Sequence, residues 1–409
     1  MEKCAIISAI KIHNELKLSC IENKGGIQMR LKKVVSLGLI ATMTFTSLVA
    51  CGDKNSAGGS DSNSFLIGGL GPLTGDNASY GNSVKQGAEI AIEEINKAGG
   101  IQVGDKKLEV KLKFEDDQAD PTIAVNAYNN LADAKVNAIM GAVTSGSCIA
   151  IVDKSAKDNI LQITPSGSAL ECTKNKNNFR LCFTDPLQGE TMAKLAVNDL
   201  GYKKIAIIYN NSSDYSKGMK DAFVAKAKEL GAEVVCEEAF VNKDVDFNTQ
   251  LTKVKESGAD CLFVPTYYKE AALIVTQAKE KGVDLPYLGG DGWDGILEQL
   301  SDASLVEGAI FLTPFISTNT DEKCQNFVKT YEEKYKEIPD QFAADGYDTV
   351  YVMKAAAEKA GSIDTDKLIA AMTQITVDGI TGKMTFTEDG EPDKDALFVL
   401  IKDGKYTAR

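Results

Sequence analysis

The sequence predicts an α/β protein built from two doubly wound lobes, each with a parallel sheet. Strand and helix patterns alternate almost without interruption, which is the order that βαβ units require. The alternation runs in two series that meet at Asp185-Pro186. From Cys51 onward the chain has 359 residues, which is enough for two domains of ordinary size.

The first series begins with a short apolar run at residue 65. Turn residues follow it, and then a helix whose apolar residues fall on one face. Asp120-Pro121 is a good N-cap and N1 pair for the second helix. The predicted strands are 65–70, 108–114, 137–140 and 161–164, and the predicted helices include 84–95, a segment after 121, and 147–157.

The second series repeats this design after Pro186. Its first two helices stop at Gly201 and Gly231, and glycine commonly ends helices. The predicted helices are 188–200, 215–230 and 271–281, and the predicted strand segments are 205–209, 234–235, 261–264, 287–288 and 308–312.

The amino-terminal segment looks like a bacterial lipoprotein signal. Arg30, Lys32 and Lys33 form a cationic start, residues 34–50 carry no charge, and Cys51 follows a small residue. We expect a leader of unclear status at 1–28, a signal peptide at 29–50, a tether at 51–64 and a lipid on Cys51, which would anchor an extracytoplasmic protein to the cell membrane. A retained transmembrane helix is the alternative, but the apolar run is short for one.

Charge and histidine content argue against several function classes. From Cys51 onward 38 Lys and Arg face 55 Asp and Glu, giving a net charge near −17, which argues against binding to nucleic acid. The single histidine, His13, lies in the leader, so the exported chain has no imidazole for a Ser-His-Asp triad or a metal. We therefore expect that this protein is not an enzyme and that it binds neither a cofactor nor a metal.

The cysteines leave two possibilities open. None of the six that follow Cys51 forms a Cys-x-x-Cys pair typical of zinc or thioredoxin-like sites. Disulfides are permitted outside the cytoplasm, and Cys172 with Cys182 is the pair to test first. Buried free thiols are the alternative. The six residues are Cys148, Cys172, Cys182, Cys236, Cys261 and Cys324.

Seven short motifs carry a resemblance to a known family. They are residues 71–75 with Tyr80-Gly81, 94–101, 116–117 with 120–121, 163–168, 179–180 with 185–189, 289–293 and 344–348. Their order and spacing resemble the type I periplasmic binding proteins of the branched-chain amino acid class, the solute-binding subunits of ABC importers. The resemblance covers essentially all of residues 65–409.

This resemblance implies a particular architecture. Two lobes joined by a three-segment hinge would trap ligand by closing, in the manner of a Venus flytrap. The chain would cross between the lobes near 184–187, 313–317 and 386–389. The lobes would then comprise residues 65–184 plus 316–386 and residues 187–313 plus 389–409.

In the first lobe the resemblance implies that three serines bind an amino acid. Ser145 follows the strand 137–140, where its hydroxyl and nearby backbone N–H groups would receive an α-carboxylate at a helix N-terminus. Ser166 and Ser168 match family positions that contact the backbone atoms of the ligand. Capping or turn chemistry is the alternative for all three serines.

In the second lobe Tyr215, Tyr267 and Asp291 follow the predicted strands 205–209, 261–264 and 287–288, at the carboxyl ends where open α/β sheets form clefts. Asp291 matches the acidic residue that binds the α-ammonium in this family. Many relatives have Glu there, so the shorter Asp requires a closer approach or a different ligand pose. A capping role in the turn 289–292 is the alternative.

Three aromatic residues are candidates for the pocket that holds the ligand's side chain. Tyr80, Trp293 and Tyr347 would provide apolar walls suited to an aliphatic or aromatic group. Core packing is the alternative for each of them. These residues do not choose between leucine-like, phenylalanine-like and amide-like ligands.

The function that the resemblance implies is capture of a free amino acid, branched-chain or otherwise apolar, and its delivery to the permease of an ABC importer. A ligand-sensing receptor of the same fold is one alternative, and a binding protein for amides or other small acids is another. A serine hydrolase using Ser145 or Ser166 is disfavoured, because the exported chain lacks both a histidine and a Gly-x-Ser-x-Gly elbow.

Overall fold

The structure, a computed structural model, describes residues 63–394 and 396–409. The predicted leader, signal peptide and lipidated Cys51 lie outside the described residues, as does most of the predicted tether. Of the helices that are described, none is long and apolar enough to cross a bilayer.

A six-stranded sheet forms the centre of the first lobe. Its strands are β1 (Ser64–Gly71), β2 (Ile101–Val103), β3 (Lys106–Asp116), β4 (Ala138–Gly141), β5 (Leu161–Thr164) and β6 (Asn178–Arg180). The strand order is β2-β3-β1-β4-β5-β6, and all neighbours are parallel except β2 and β3. The connecting helices are α1 (Ala78–Lys97), α2 (Pro121–Asp133) and α3 (Ser145–Lys157).

The second lobe is built on a seven-stranded sheet. In chain order its first elements are α4 (Asp185–Lys194), β7 (Lys204–Asn210), α5 (Asp214–Glu229), β8 (Glu233–Phe240), α6 (Asn248–Glu256), β9 (Cys261–Phe263), α7 (Tyr268–Lys281), β10 (Tyr287–Leu288) and β11 (Ile310–Thr313). Strands β7 to β11 pair in parallel in the order β11-β10-β9-β7-β8.

After β11 the chain returns to the first lobe before it completes the second. The returning elements are α8 (Glu322–Tyr335), α9 (Gln341–Ala360), α10 (Thr365–Met372) and the hairpin of β12 (Val377–Gly379) and β13 (Gly382–Met384). The last strands extend the second sheet: β14 (Leu397–Lys402) pairs antiparallel with β11, and β15 (Lys405–Ala408) pairs antiparallel with β14.

Helices α1 and α9 pack closely in the first lobe because glycines lie at their contact. A Cβ atom added to Gly87 would lie 1.8 Å from the carbonyl oxygen of Ala343. One added to Gly346 would lie 2.1 Å from the carbonyl oxygen of Val84. Only glycine therefore allows the two backbones to approach this far.

The strands and helices predicted from the alternation are confirmed, with additions. The predicted helix 188–200 begins three residues earlier, as α4, and ends in a π-helical turn at Leu195–Asp199. Helix α6 and the short strands β2, β6, β12, β13 and β15 were not predicted, because segments of nine residues or fewer give little periodic signal. The alternation also did not include helices α8 to α10.

The described cysteines are free thiols, five of them buried and Cys236 partly exposed. The pairing of Cys172 with Cys182 is therefore not formed in this structure, and the free-thiol alternative describes it. Cys172 instead lies against the loop that begins α3, with its Sγ 3.9 Å from the carbonyl oxygen of Ser145. It packs there with other buried apolar residues of the first lobe.

Candidate ligand-binding site

The cleft between the lobes lies at the carboxyl ends of parallel strands from both sheets. In the first lobe Ser145 begins α3 after β4, and Ser166 and Ser168 follow β5. In the second lobe Tyr267 follows β9 and Asp291 follows β10, where it begins a short 3-10 helix. The two sets of residues thus come from facing edges of the two sheets.

Direct hydrogen bonds connect the two lobes across this cleft. The hydroxyl of Tyr80, in α1, donates to the carbonyl oxygen of Gly292 at 2.6 Å and accepts from the backbone N–H of Tyr268 at 3.2 Å. The side-chain amide of Gln341, at the start of α9, donates to the carbonyl oxygen of Asp291 at 2.6 Å. The lobes are therefore closed on each other, with the segment around Asp291 at their contact.

Asp291 is buried, and no ion pair among the described residues includes it. Its backbone N–H donates to Oε1 of Gln188 at 2.9 Å, but its Oδ1 has no hydrogen-bond partner. Burial raises the pKa of Asp291 to about 6. A buried carboxylate with an unused acceptor is costly unless a cation or donor reaches it, so this position suits a bound ammonium.

Three tyrosines form an aromatic wall beside Asp291. Tyr215 stacks on Tyr267 with ring centroids 4.8 Å apart, and Tyr80 meets Tyr267 edge to face at 5.6 Å. The hydroxyl of Tyr215 accepts the backbone N–H of Gly292 at 3.0 Å, which fixes the ring next to the Asp291 turn. An apolar group of a ligand held at Asp291 would meet these rings.

The three serines differ in what their hydroxyls contact. The Oγ of Ser145 accepts the backbone N–H of Ala169 at 3.2 Å, and the Oγ of Ser166 donates to the carbonyl oxygen of Val143 at 2.7 Å. These two hydroxyls tie together the loops after β4 and β5. The Oγ of Ser168, in contrast, is buried without a partner.

The N-terminus of α3 lacks a side-chain cap. Its N-cap residue, Thr144, makes no side-chain hydrogen bond to the first turn of the helix, and the Oγ1 of Thr144 is buried without a partner. Uncapped N–H groups at the positive end of a helix attract a carboxylate. The cleft therefore presents an anion site on one lobe and a carboxylate on the other.

Two of the predicted pocket residues, Trp293 and Tyr347, pack against other residues of their own lobes. Trp293 is fully buried, its indole N–H donates to the carbonyl oxygen of Val264 at 2.8 Å, and its ring covers Gly289 in the interior of the second lobe. The hydroxyl of Tyr347 donates to Glu94 at 2.6 Å, and its ring packs against Phe327. Core packing thus accounts for both residues, whereas Tyr80 stays at the cleft.

Sequence reasoning missed two polar residues of this region, both in the first turn of α4. Gln188 contacts Asp291 directly, as described above, and its Nε2 has no partner. Asp185 is buried, and neither of its carboxylate oxygens has a hydrogen-bond partner. Both belong to the motif at 185–189, but Asp185 was interpreted only as part of a crossing between lobes and Gln188 only as the start of a helix.

These features define a class of protein: a two-lobed α/β binding protein that encloses a small ligand between its sheets. The chain belongs to the periplasmic binding protein family, whose sequence model matches residues 65–405. Proteins of this family bind solutes outside the cytoplasm and are not enzymes, and the same holds for this chain.

Individual relatives agree with this assignment. The chain is 31% identical to Leu/Ile/Val-binding protein homolog 3 of Brucella melitensis, over 89% of this chain and 95% of that protein. It is similar to the substrate-binding protein LivJ of Streptococcus pneumoniae in complex with isoleucine, with a TM-score of 0.79, 32% identity, and coverage of 84% of this chain and 98% of that one. The leucine-binding protein LivK of Thermotoga maritima gives a TM-score of 0.78 at 31% identity, covering 84% of this chain and 97% of that one.

Proposed function

We propose that this protein captures a free α-amino acid with a branched-chain or other apolar side group and delivers it to the permease of an ABC importer. The observation that carries the proposal is the buried, uncompensated carboxylate of Asp291 in a closed cleft that has an uncapped helix N-terminus on its other side. A zwitterion matches both charges. The names of the relatives, Leu/Ile/Val-binding and leucine-binding proteins, support the same class of ligand.

The proposed pose follows from the charges. The α-carboxylate lies at the start of α3, near Ser145 and the loop that carries Ser166 and Ser168. The α-ammonium pairs with Asp291, and the side chain packs against Tyr80, Tyr215 and Tyr267. Tyr80 and Tyr267 come from opposite lobes, so a bound apolar side chain would strengthen their contact and favour closure.

Closure would use the three crossings near 184–187, 313–317 and 386–389. We propose lobe boundaries of 65–184 plus 316–386 and 187–313 plus 389–409. A lipid on Cys51, after removal of a signal peptide at 29–50, would hold the protein at the membrane beside its permease. Both the cleft and the anchor then serve transport, and a receptor that only reports ligand is the less favoured alternative.

Amides and simple acids fit the cleft less well than amino acids do. A simple carboxamide or a simple carboxylic acid has no ammonium group. Asp291 would therefore stay buried and unpaired when the lobes close on such a ligand. Since a ligand can drive closure only through contacts that the closed state improves, such ligands would stabilise it poorly.

The test is calorimetry on residues 52–409, unfolded and refolded to remove carried-over ligand. We expect leucine, isoleucine or valine to bind, and leucinamide, which lacks the carboxylate, to bind far more weakly. Asp291→Ala should cost about 2 to 5 kcal/mol of binding free energy, because it leaves a buried ammonium unpaired. The exposed Asp153, which pairs with Lys174, provides a control variant, Asp153→Ala, that should bind normally. Equal affinity for Asp291→Ala and wild type would remove Asp291 from the site.

A further inference from the structure

A second buried carboxylate, Asp185, lies in the cleft region with no partner of its own. It is the first residue of α4 and is 1% exposed, and neither Oδ1 nor Oδ2 has a hydrogen-bond partner. Its backbone N–H donates to the carbonyl oxygen of Ser168 at 2.9 Å, so the residue is attached to the loop that carries a predicted ligand-binding serine. Burial raises the pKa of this carboxylate against the opposing effects of the nearby Ser168 hydroxyl and the charge of Arg180, but both of its oxygens remain free to accept a hydrogen bond.

Asp185 has neighbours that also contact Asp291 or the residues beside it. Gln188, one turn later in α4, accepts the backbone N–H of Asp291 through its Oε1. On the facing helix α5, a Cβ added to Gly218 would lie 3.1 Å from Oδ2 of Asp185, and Gly218 is one turn from Tyr215. Asp185 therefore shares neighbours on both helices with the residues that surround Asp291.

Arg180, the basic residue whose charge acts on Asp185, is already paired with other groups. Arg180 is fully buried, pairs with Glu391 at 2.8 Å and donates to the carbonyl oxygens of Gly167 at 3.0 Å and Leu170 at 3.3 Å. Asp185 does not belong to any ion pair of the described residues. Its charge is thus left for a ligand, or for a proton when no ligand is present.

Three buried side chains near the Asp291 turn have acceptor atoms that no hydrogen bond uses. A primary ammonium has three N–H donors. The acceptors are Oδ1 of Asp291, the carboxylate of Asp185 and Oγ of Ser168, all buried and without partners. We propose that Asp185 is a second carboxylate acceptor for the ligand's ammonium, so that the site selects primary amines over N-alkylated amines and over acids that have no amine. This inference rests on the proposed function and adds a specificity-determining residue to it.

The assignment separates two roles within the ammonium site. Asp291 comes from the second lobe after β10, while Asp185 is hydrogen-bonded to the first-lobe loop that carries Ser168. An ammonium bound by both carboxylates would therefore link the second lobe to the first-lobe loop that carries Ser168, and so favour the closed state. Loss of either carboxylate should then weaken ligands that have the ammonium and spare ligands that lack it.

The test compares three ligands on the refolded protein: leucine, N-methyl-leucine and 4-methylpentanoate, which lacks the amine. Asp185→Asn keeps the shape of the side chain but removes its charge and one acceptor. We expect leucine to bind this variant about 10- to 100-fold more weakly, since a hydrogen bond to a charged group is lost. The binding of 4-methylpentanoate should stay the same or improve, and the preference for leucine over N-methyl-leucine should shrink.

Asp345→Asn is the matched control. Asp345 is also buried and its Oδ1 accepts no hydrogen bond, but it lies in α9, and that oxygen forms an ion pair with Nζ of Lys394 at 3.8 Å. This variant should leave the ligand preferences unchanged. A purely structural role for Asp185 predicts instead that Asp185→Asn weakens all three ligands equally, and that result would overturn the proposal.

The wild-type protein alone gives a second test that does not depend on how the variant folds. Leucine should bind at least about tenfold more tightly than N-methyl-leucine, because the secondary amine has one donor fewer. Equal binding of the two would refute a three-acceptor site while leaving the amino-acid function intact. Binding of 4-methylpentanoate but not of leucine would refute the proposed function itself, and the inference with it.

Discussion

At the residue scale, Asp291 shows that binding and stability make opposite demands. Its burial suits it to hold an ammonium, but in the ligand-free protein the same burial leaves a charge without compensation. The pKa of about 6 is the measure of that cost. Under the proposed function, a buried carboxylate that is kept free for the ligand thus lowers the stability of the protein when no ligand is bound.

A stability prediction follows for the ligand-free protein. A folded pKa of about 6, above the ordinary value of 3.8, means that the stabilising proton is fully held below about pH 4 and is lost as the pH rises through 6. The unfolding free energy should therefore fall from pH 4 to 7.5, with Asp291 accounting for at most about 3 kcal/mol. Asp291→Asn should be more stable than wild type near neutral pH, although it no longer holds an ammonium.

Urea denaturation of wild type and Asp291→Asn at about pH 5 and about pH 7.5 checks this prediction. Other buried carboxylates stay in the variant, including Asp117, whose pKa burial also raises to about 6. The variant should therefore keep part of the pH dependence and lose part. The same dependence in both proteins would show that Asp291 is not an uncompensated charge in the empty cleft.

Single residues were predictable from the sequence only where a motif fixed their position on a strand end. Asp291, Tyr215 and Tyr267 follow strands, and the structure brings all three together. Tyr347 was not predictable in this way, because its hydroxyl partner, Glu94, lies 253 residues away in the chain. Asp185 was missed because burial without partners is a property of the folded structure and has no local sequence pattern.

At the scale of elements, the contact of α1 with α9 is the most restrictive in the first lobe. The two helices come from opposite ends of this lobe's sequence, and glycines on both permit their backbones to touch. This contact holds Tyr80, in α1, next to Gln341, at the start of α9, and both residues donate hydrogen bonds across the cleft. The packing of two helices thus positions the first-lobe side of the closure.

Gly87→Ala tests this contact. The added Cβ would lie 1.8 Å from the carbonyl oxygen of Ala343, so the helices must separate, and we expect a loss of about 1 to 3 kcal/mol or more in unfolding free energy. Gly146→Ala, in the first turn of α3, is the control, because the nearest atom to its Cβ would be Cγ of Pro121 at 3.7 Å. Urea unfolding of both variants gives the comparison, and equal stabilities would contradict the tight helix contact.

The elements themselves were largely predictable, since alternating apolar strands and capped helices are local signals. Asp120 illustrates this: its side chain accepts from the backbone N–H groups of Thr122 and Ile123, as its position before Pro121 predicts. The short hairpin of β12 and β13 was not predictable, because three-residue strands carry almost no pattern. Their position is determined instead by Asp348, which accepts hydrogen bonds from the backbone of Ile380 and Thr381.

At the scale of the whole molecule, the proposed function depends on a cleft that neither lobe forms alone. The first lobe contributes the N-terminus of α3 and Tyr80, and the second contributes Asp291, Tyr215 and Tyr267. The two-lobed fold was predictable from the two series of strands and helices. The closing contact was not, because Tyr80 and Gly292 are 212 residues apart and meet only after both lobes have formed.

The measurement that tests the account most directly is a crystal structure of the refolded protein with leucine bound. We predict the ammonium nitrogen at about 2.7 to 3.2 Å from the carboxylate of Asp291, with the leucine carboxylate at the first turn of α3 and the side chain against the ring of Tyr267. A ligand outside the cleft, or one whose carboxylate points away from α3 with its ammonium distant from Asp291, would contradict the account.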